Sequence, residues 1–235
     1  MENMLYFELA KKVISDLEEC KNEIKKAGEI IADSIMNGGI LITFGSGHSN
    51  AGAIEVAGRA GGLVPAIAME DVSHGVYERI EGVGKEFLKT WDLRENDCVV
   101  IISNSGRNPL PIEVAEFVKN NGNKLIVVTS KKFSQSVTSR HSSGKKLYEF
   151  ADVILDNHVE PGDSSIELEG LDCKIGPTST LSTVLLLNQA IVYAVEKMLS
   201  CNYKPPVYLS ANLDAGLKWN NELMEKYFDR LRKKM

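Results

Sequence analysis

Five short apolar runs, separated by longer segments of helical character, constrain the fold of this 235-residue chain more than any other feature. A strand that is apolar on both sides needs cover on both faces, which parallel sheets receive from helices. Right-handed crossovers then join the strands into a doubly wound sheet. We therefore predict an α/β fold, with a five-stranded parallel sheet in the middle of three α/β/α layers. The predicted strands are 40–44, 63–68, 98–102, 125–128 and 151–155.

An N-terminal helical segment, residues 1–37, precedes the first strand. Its apolar residues recur at three- and four-residue steps, which places them on one stripe of an amphipathic helix. Gly28 is a candidate break that would divide the segment into two helices. Further helices are predicted over 49–60, 76–90, 112–120 and 178–200, with a charged helix near 217–233 and a polar loop or short helix over 131–146.

The chain shows no internal repeat and no low-complexity linker. We therefore expect a single domain over residues 1–235. Its parts would be the N-terminal segment 1–37, an α/β core over 38–200 and a C-terminal tail over 201–235.

The composition bears on the partners and the location of the protein. A net charge of −5 gives no general attraction for nucleic acid or for anionic membranes. The most apolar run, 181–195, is too short to span a bilayer, and the N-terminus has no apolar signal core. The four cysteines form no CxxC pair, which favours reduced thiols. We expect a soluble cytoplasmic protein with no nucleic-acid or membrane partner.

Two loops rich in glycine and small polar residues follow the first and third predicted strands. Ligands of parallel sheets bind beyond the carboxyl ends of the strands. Glycine and serine at the entrance to a helix direct backbone N–H groups and hydroxyls at an anion. The loops lack the Walker lysine pattern, and the first lacks GxGxxG spacing, so a nucleotide site is disfavoured. The candidate ligand residues are Gly45, Ser46, Gly47 and Ser49 in the first loop, and Ser103, Asn104, Ser105 and Asn108 in the second.

Three titratable side chains near these loops are candidates for catalysis. Glu55 lies six residues beyond Ser49, roughly 9 Å along a helix, and from there it can reach a ligand. It could equally form an i,i+4 pair with Arg59. His48 follows the first strand and His74 follows the second. No HxH or HExxH spacing occurs, so we expect no metal site.

Three segments of the chain resemble the phosphosugar loops of the sugar isomerase (SIS) family. They are residues 44–49, residues 101–106, and residues 176–180 before the long apolar helix. The resemblance implies a five-stranded parallel sheet and recognition of a phosphorylated sugar by serine and threonine side chains. It adds Thr178, Ser179 and Thr180 to the candidate ligand residues. It also implies a homodimer or tetramer whose sites are shared between subunits.

Residues 55–59 and 65–74 resemble the phosphoheptose isomerases of that family. Glu55 matches the acid/base glutamate of their E-x-x-G-R segment. The chain departs from them in three ways: the helix before Glu55 is about one turn shorter, the helix over 178–200 has no histidine, and Asn108 stands where threonine is usual. Over its whole length the chain is similar to an uncharacterised bacterial SIS branch, typified by its segments 139–146 and 206–212.

Three functional hypotheses follow. The first is an aldose–ketose sugar-phosphate isomerase, with Glu55 as the base and His48 or His74 polarising the oxygen, and with no metal or organic cofactor. The second is a phosphosugar sensor without catalysis. The third is another phosphosugar reaction, such as deamination or ether cleavage. For the third, the candidate second carboxylates are Glu160, Asp163, Glu167 and Glu169. The apolar surface of the N-terminal helix and of the helix over 178–200 predicts a homodimer packed through helices.

Overall fold

The computed structural model describes residues 4–231 and contains the predicted sheet. All four strand pairings are parallel, and the strand order is β2-β1-β3-β4-β5, as expected for a doubly wound fold. The predicted fold class is therefore confirmed. The strands are β1 (Leu41–Gly45), β2 (Ala66–Glu70), β3 (Cys98–Ile102), β4 (Lys124–Thr129) and β5 (Val153–Asp156).

Helices precede, connect and follow the strands. They are α1 (Leu5–Glu18), α2 (Lys21–Met36), α3 (Asn50–Glu55), α4 (Val83–Leu88), α5 (Pro109–Asn120), α6 (Lys131–Ser136), α7 (Ser179–Ser200), α8 (Gly216–Lys226) and α9 (Phe228–Leu231). Short 3-10 turns occupy Gly47–Ser49 and Leu147–Phe150. None of the helices within residues 4–231 has the length and apolarity to cross a membrane.

The sheet is covered on both faces because successive side chains of each strand point to opposite sides. On one face, Leu41, Val100 and Ile126 belong to a buried cluster shared with α2 and α7. On the other face, Ile42 and Val99 pack in a cluster with residues of α5. The two clusters are the two interlayer cores of an α/β/α sandwich.

The predicted break at Gly28 is wrong, because the chain bends at Glu19 and Cys20, between α1 and α2. Gly28 lies inside α2 and is buried against α7. A Cβ atom at this position would lie 2.7 Å from the Ala190 carbonyl oxygen and 2.7 Å from the Tyr193 Cβ. The glycine therefore allows the backbones of α2 and α7 to approach closely, which is a packing role.

Other predicted bounds shift for reasons that lie elsewhere in the chain. Strand β2 starts at Ala66 and not at residue 63, since Leu63 bridges to Val207 of the tail. Helix α3 is shorter than the predicted 49–60, and the residues beyond it hydrogen-bond to the tail through Tyr208. Only Val83–Leu88 is helical within 76–90. The predictions for residues 1–3 and 232–235 lie outside the described residues.

Candidate functional site

The first and second loops leave neighbouring strands at the same edge of the sheet. Strands β1 and β3 are adjacent, and Gly45 is paired in register with Ile102, so both loops start at the same level. The start of α7 approaches them from above. Together they form a narrow cleft, lined by His48, Ser49, Gly52, Ile102, Asn104, Ser179, Thr180 and Thr183.

Five of the predicted site residues line this cleft: His48, Ser49, Asn104, Ser179 and Thr180. Among the lining residues that were not predicted, Thr183 lies one helical turn beyond Ser179, so the helical period of α7 could have identified it. Gly45 acts through its backbone, because a Cβ there would lie 2.4 Å from the Ser49 carbonyl oxygen.

Ser46 is a buried residue of the first loop, and its side chain contacts a carboxylate. Its hydroxyl donates to Asp71 Oδ2 at 2.5 Å, and the Gly75 N–H donates to the same oxygen at 2.9 Å. The Ser73 N–H and hydroxyl donate to Asp71 Oδ1 at 3.0 Å and 2.5 Å. Burial raises the pKa of Asp71, but these hydrogen bonds outweigh it and the pKa is lowered overall. Ser46 and Asp71 therefore fix the loop after β2 to the loop after β1.

This contact positions the two candidate histidines. Gly47 lies against Gly75, since a Cβ on Gly75 would be 3.1 Å from the Gly47 Cα. His48 and His74 are the chain neighbours of these glycines, and both are exposed. His48 lines the cleft, whereas His74 lies outside the set of lining residues. Asp71, which organises this corner, was not identified from the sequence.

The polar side chains of the second loop are partly engaged with the rest of the protein. Ser103 Oγ accepts from the Gly106 N–H at 3.3 Å. Asn104 Oδ1 accepts from Asn157 Nδ2 at 2.8 Å. The amide nitrogen of Asn104 is therefore the group that can donate to a ligand. Asn108 Oδ1 accepts from Arg140 Nη1 at 2.9 Å. Ser105 is half-buried in the same loop.

The expectation that the second loop presents backbone N–H groups to an anion is wrong for the start of α5. Pro109 and Pro111 have no N–H group. The Leu110 N–H donates to the Glu78 carbonyl at 3.2 Å. The three residues that open α5 therefore leave no N–H group for a ligand.

The start of α7 is occupied by a carboxylate of the same chain. Asp163 Oδ1 accepts from the N–H groups of Thr178 and Ser179, each at 3.0 Å, and the Ser179 hydroxyl donates to Oδ2. Asp163 therefore caps the helix. Thr178 is buried, and Thr180 is the exposed member of this predicted ligand segment.

Glu55 forms the i,i+4 ion pair that was the alternative to a role at the ligand. It forms an ion pair with Arg59 at i,i+4, its side chain is 36% exposed, and it is not among the residues that line the cleft. Helix α7 carries Asn188 and Gln189 where the phosphoheptose isomerase pattern implies a histidine, and both are exposed. Of the three predicted catalytic residues, only His48 lines the cleft.

Two further candidate carboxylates, and the two histidines beyond the candidates, contact partners outside the cleft. Glu160 pairs with Lys132 at 2.6 Å, and Glu167 pairs with Lys174 at 2.9 Å. His141 Nε2 lies 3.6 Å from Glu81, and His158 Nε2 lies 3.4 Å from Cys20 Sγ. Within residues 4–231, no group of three or more His, Cys, Asp or Glu side chains is arranged to hold a metal ion.

Comparison with known proteins places the chain among its relatives. A family model for the SIS domain matches residues 5–130, and a second SIS domain model matches residues 85–193. A UPF0309 protein of Listeria monocytogenes is 52% identical, over 97% of this chain and 98% of that protein. A UPF0309 protein of Halalkalibacterium halodurans is 38% identical, over 94% and 96%.

Solved structures share the fold at low sequence identity. A phosphoheptose isomerase from Neisseria gonorrhoeae superposes with a TM-score of 0.56 and 17% identity, over 82% of this chain and 96% of that chain. The Vibrio vulnificus NanR protein, complexed with ManNAc-6P, superposes with a TM-score of 0.51 and 11% identity, over 96% and 68%. At these identities the likeness concerns the fold.

Proposed function

Because this chain belongs to the SIS domain family, we propose that it is a cytoplasmic protein that binds a phosphorylated sugar at the carboxyl edge of its sheet. One observation carries the proposal. Ser49, Asn104 and Thr180 come from three separate segments, and all three line one cleft at the topological switch point. Hydroxyls and amides converging in this way suit the phosphate and hydroxyl groups of a sugar phosphate.

Binding is tested by the thermal midpoint of the full chain with a panel of sugar phosphates and the matching free sugars. A ligand that binds only the native state raises the midpoint. We expect stabilisation by at least one sugar phosphate and none by its unphosphorylated counterpart. The Thr180→Val variant should weaken that response. Equal responses to phosphorylated and free sugars would refute the proposal.

For the reaction, we propose aldose–ketose isomerisation. A base removes the proton from C2 of the aldose as O1 gains a proton, which gives the enediol; the 2-hydroxyl then loses its proton and C1 is protonated, which leaves the carbonyl at C2. Glu55 is the proposed base, and its ion pair with Arg59 must open or reorient for it to meet the substrate. His48 at the cleft, or His74 beside it, would polarise the carbonyl oxygen.

Glu55→Gln tests this reaction. We expect the variant to bind the sugar phosphate and to lose at least about a hundredfold in turnover, since a general base contributes on the order of 10²–10⁴. Incubation in D₂O, followed by NMR of the sugar, detects deuterium at the exchanged carbon. Glu86→Gln is the matched control, because Glu86 is exposed and also pairs along its helix, with Lys89. Full turnover in Glu55→Gln would remove Glu55 from the mechanism.

Sensing without catalysis is the second candidate, and one observation favours it. Glu55 is paired with Arg59 outside the cleft lining, and α7 offers no histidine as its partner. A sensor would be stabilised by a sugar phosphate and would leave its carbon-bound hydrogens unexchanged in D₂O. Deuterium incorporation would exclude this alternative.

We also propose that the chain works as a homodimer or tetramer. The cleft is narrow in the single chain. A second copy could supply further walls to the site.

A further inference from the structure

Two arginines converge on the start of α5, beside the second loop. The Arg140 N–H donates to the Arg107 carbonyl at 2.8 Å, and Arg140 Nη1 donates to Asn108 Oδ1 at 2.9 Å. Arg107 Nη2 donates to Thr138 Oγ1 at 3.4 Å. The segment around residue 140 therefore folds back onto the second loop and brings its guanidinium to it.

These positive charges have no carboxylate in ion-pair contact. Among the arginines of residues 4–231, ion pairs form at Arg59, Arg94 and Arg230 and at no others. The Nε atom of Arg107 is buried without a hydrogen-bond partner. Arg140 is exposed, yet desolvation lowers its pKa, the neighbouring charges of Arg107 and Arg79 lower it further, and Glu78 acts against them.

Such an arrangement costs free energy in the absence of an anion. Like charges repel, and a buried N–H group without an acceptor has lost its hydration. Each guanidinium carries five N–H donors, so Arg107 and Arg140 retain donors after their internal hydrogen bonds. Their planar forks match the geometry of phosphate oxygens.

The start of α5 lacks the backbone donors that usually bind an anion at a helix N-terminus. Pro109, Leu110 and Pro111 have no N–H group left for an anion. The first three residues of α5 therefore leave phosphate binding to the loop before them, where Ser103 and Ser105 supply neutral hydroxyls alone. Positive charge at this loop comes from the arginines.

We propose that Arg107 and Arg140 form an anion site at the start of α5 that binds the phosphate group of the ligand. The inference rests on the proposed binding of a phosphorylated sugar and specifies the residues that recognise its charge. Arg107 acts from within the loop, and Arg140 reaches it from the segment after α6.

Calorimetric titration of the full chain with inorganic phosphate, and with a sugar phosphate that stabilises it, tests the site. We expect Arg107→Gln and Arg140→Gln each to weaken both affinities about tenfold or more, since hydrogen bonds to charged groups are lost. Arg140→Lys should give an intermediate loss, because it keeps the charge without the fork. Arg94→Gln is the control with the same charge change, and it should stay within about twofold. Thermal midpoints without phosphate verify that each variant is folded.

The outcomes separate this inference from the proposed function. If the wild type binds a sugar phosphate and both glutamine variants bind it as tightly as Arg94→Gln does, the arginine site is refuted and the proposed function stands. If phosphate binding depends on Arg107 and Arg140 but no sugar phosphate binds, the anion site stands and the proposed function is refuted. If Arg140→Lys weakens binding as little as Arg94→Gln does, while Arg140→Gln loses folding, the site is also refuted.

Discussion

At the scale of single residues, Asp71 holds two loops of the site together. Its two oxygens accept four hydrogen bonds from the ends of two loops. The Ser46 hydroxyl is one of these donors, so a residue that the pattern assigned to the ligand serves to position the first loop. An aspartate that collects donors from residues 25 apart in sequence has no local signature.

Asp71→Asn tests that role. An amide cannot accept all of these hydrogen bonds, so we expect a loss of roughly 1–3 kcal/mol in the free energy of unfolding at neutral pH. The loss is measured by urea denaturation. Asp172→Asn is the control, since Asp172 is exposed in a loop, and its stability should match the wild type.

The pH dependence of the stability of the wild type and of Asp71→Asn gives a second test. The pKa of Asp71 is lowered from 3.8 in the folded state, so its stabilising contribution is present above that value and is lost as the pH falls through the folded pKa. The stability difference between the wild type and Asp71→Asn should therefore be largest above about pH 4 and shrink at lower pH. A difference that is constant down to pH 2 would contradict the assigned role.

At the scale of elements, the contact between α2 and α7 depends on the absence of one side chain. Helix propensity alone predicts that Gly28→Ala stabilises α2 by about 1 kcal/mol. The structure predicts the opposite sign, because the new Cβ would meet the backbone of α7 at Ala190 and the Cβ of Tyr193. We expect a destabilisation of about 1–3 kcal/mol from overpacking. The sign of the change in urea denaturation decides between the two.

The elements that the sequence predicts well are those whose signal is local. The five strands follow from continuous apolar runs such as 98–102, which must be buried on both faces. The doubly wound arrangement also follows, because crossovers have one hand, whereas the strand order is known from the fold alone. The bounds that fail depend on distant partners, as when the tail residue Val207 bridges to Leu63 and β2 starts later.

The candidate site likewise has features that the sequence predicts and features that it does not. The loops that leave β1 and β3 are visible in the sequence, and Ser49 and Asn104 do meet in the cleft. The acceptors that already occupy N–H groups near the site cannot be predicted from the sequence, because they come from distant segments. Asp163 accepts from the Ser179 N–H, and the Glu78 carbonyl accepts from the Leu110 N–H. A glycine- and serine-rich loop shows where an anion could bind, whereas the free donors are known only from the folded chain.

At the scale of the whole molecule, a groove runs between the N-terminal helices and α7. It has a volume of about 520 Å³, and its lining is mostly apolar. Ile14 lines the groove and is 46% exposed. Glu18 and Lys21 also line the groove, so a second copy related by a two-fold axis could set Glu18 of each chain against Lys21 of the other. The groove lining comprises Ile14, Leu17, Glu18, Lys21, Ile24, Leu185, Leu186, Gln189 and Tyr193.

We therefore predict that the chain associates with itself through this groove. Sedimentation at micromolar concentration should give a dimer or tetramer for the wild type, and Ile14→Glu should shift it towards the monomer because a charge would be buried in an apolar contact. Phe117→Glu is the matched control, since Phe117 is 37% exposed but lies on α5, which covers the other face of the sheet. It should leave the assembly intact. A monomeric wild type would contradict the association, and a wild-type oligomer that is unaffected by Ile14→Glu would place the contact on another face.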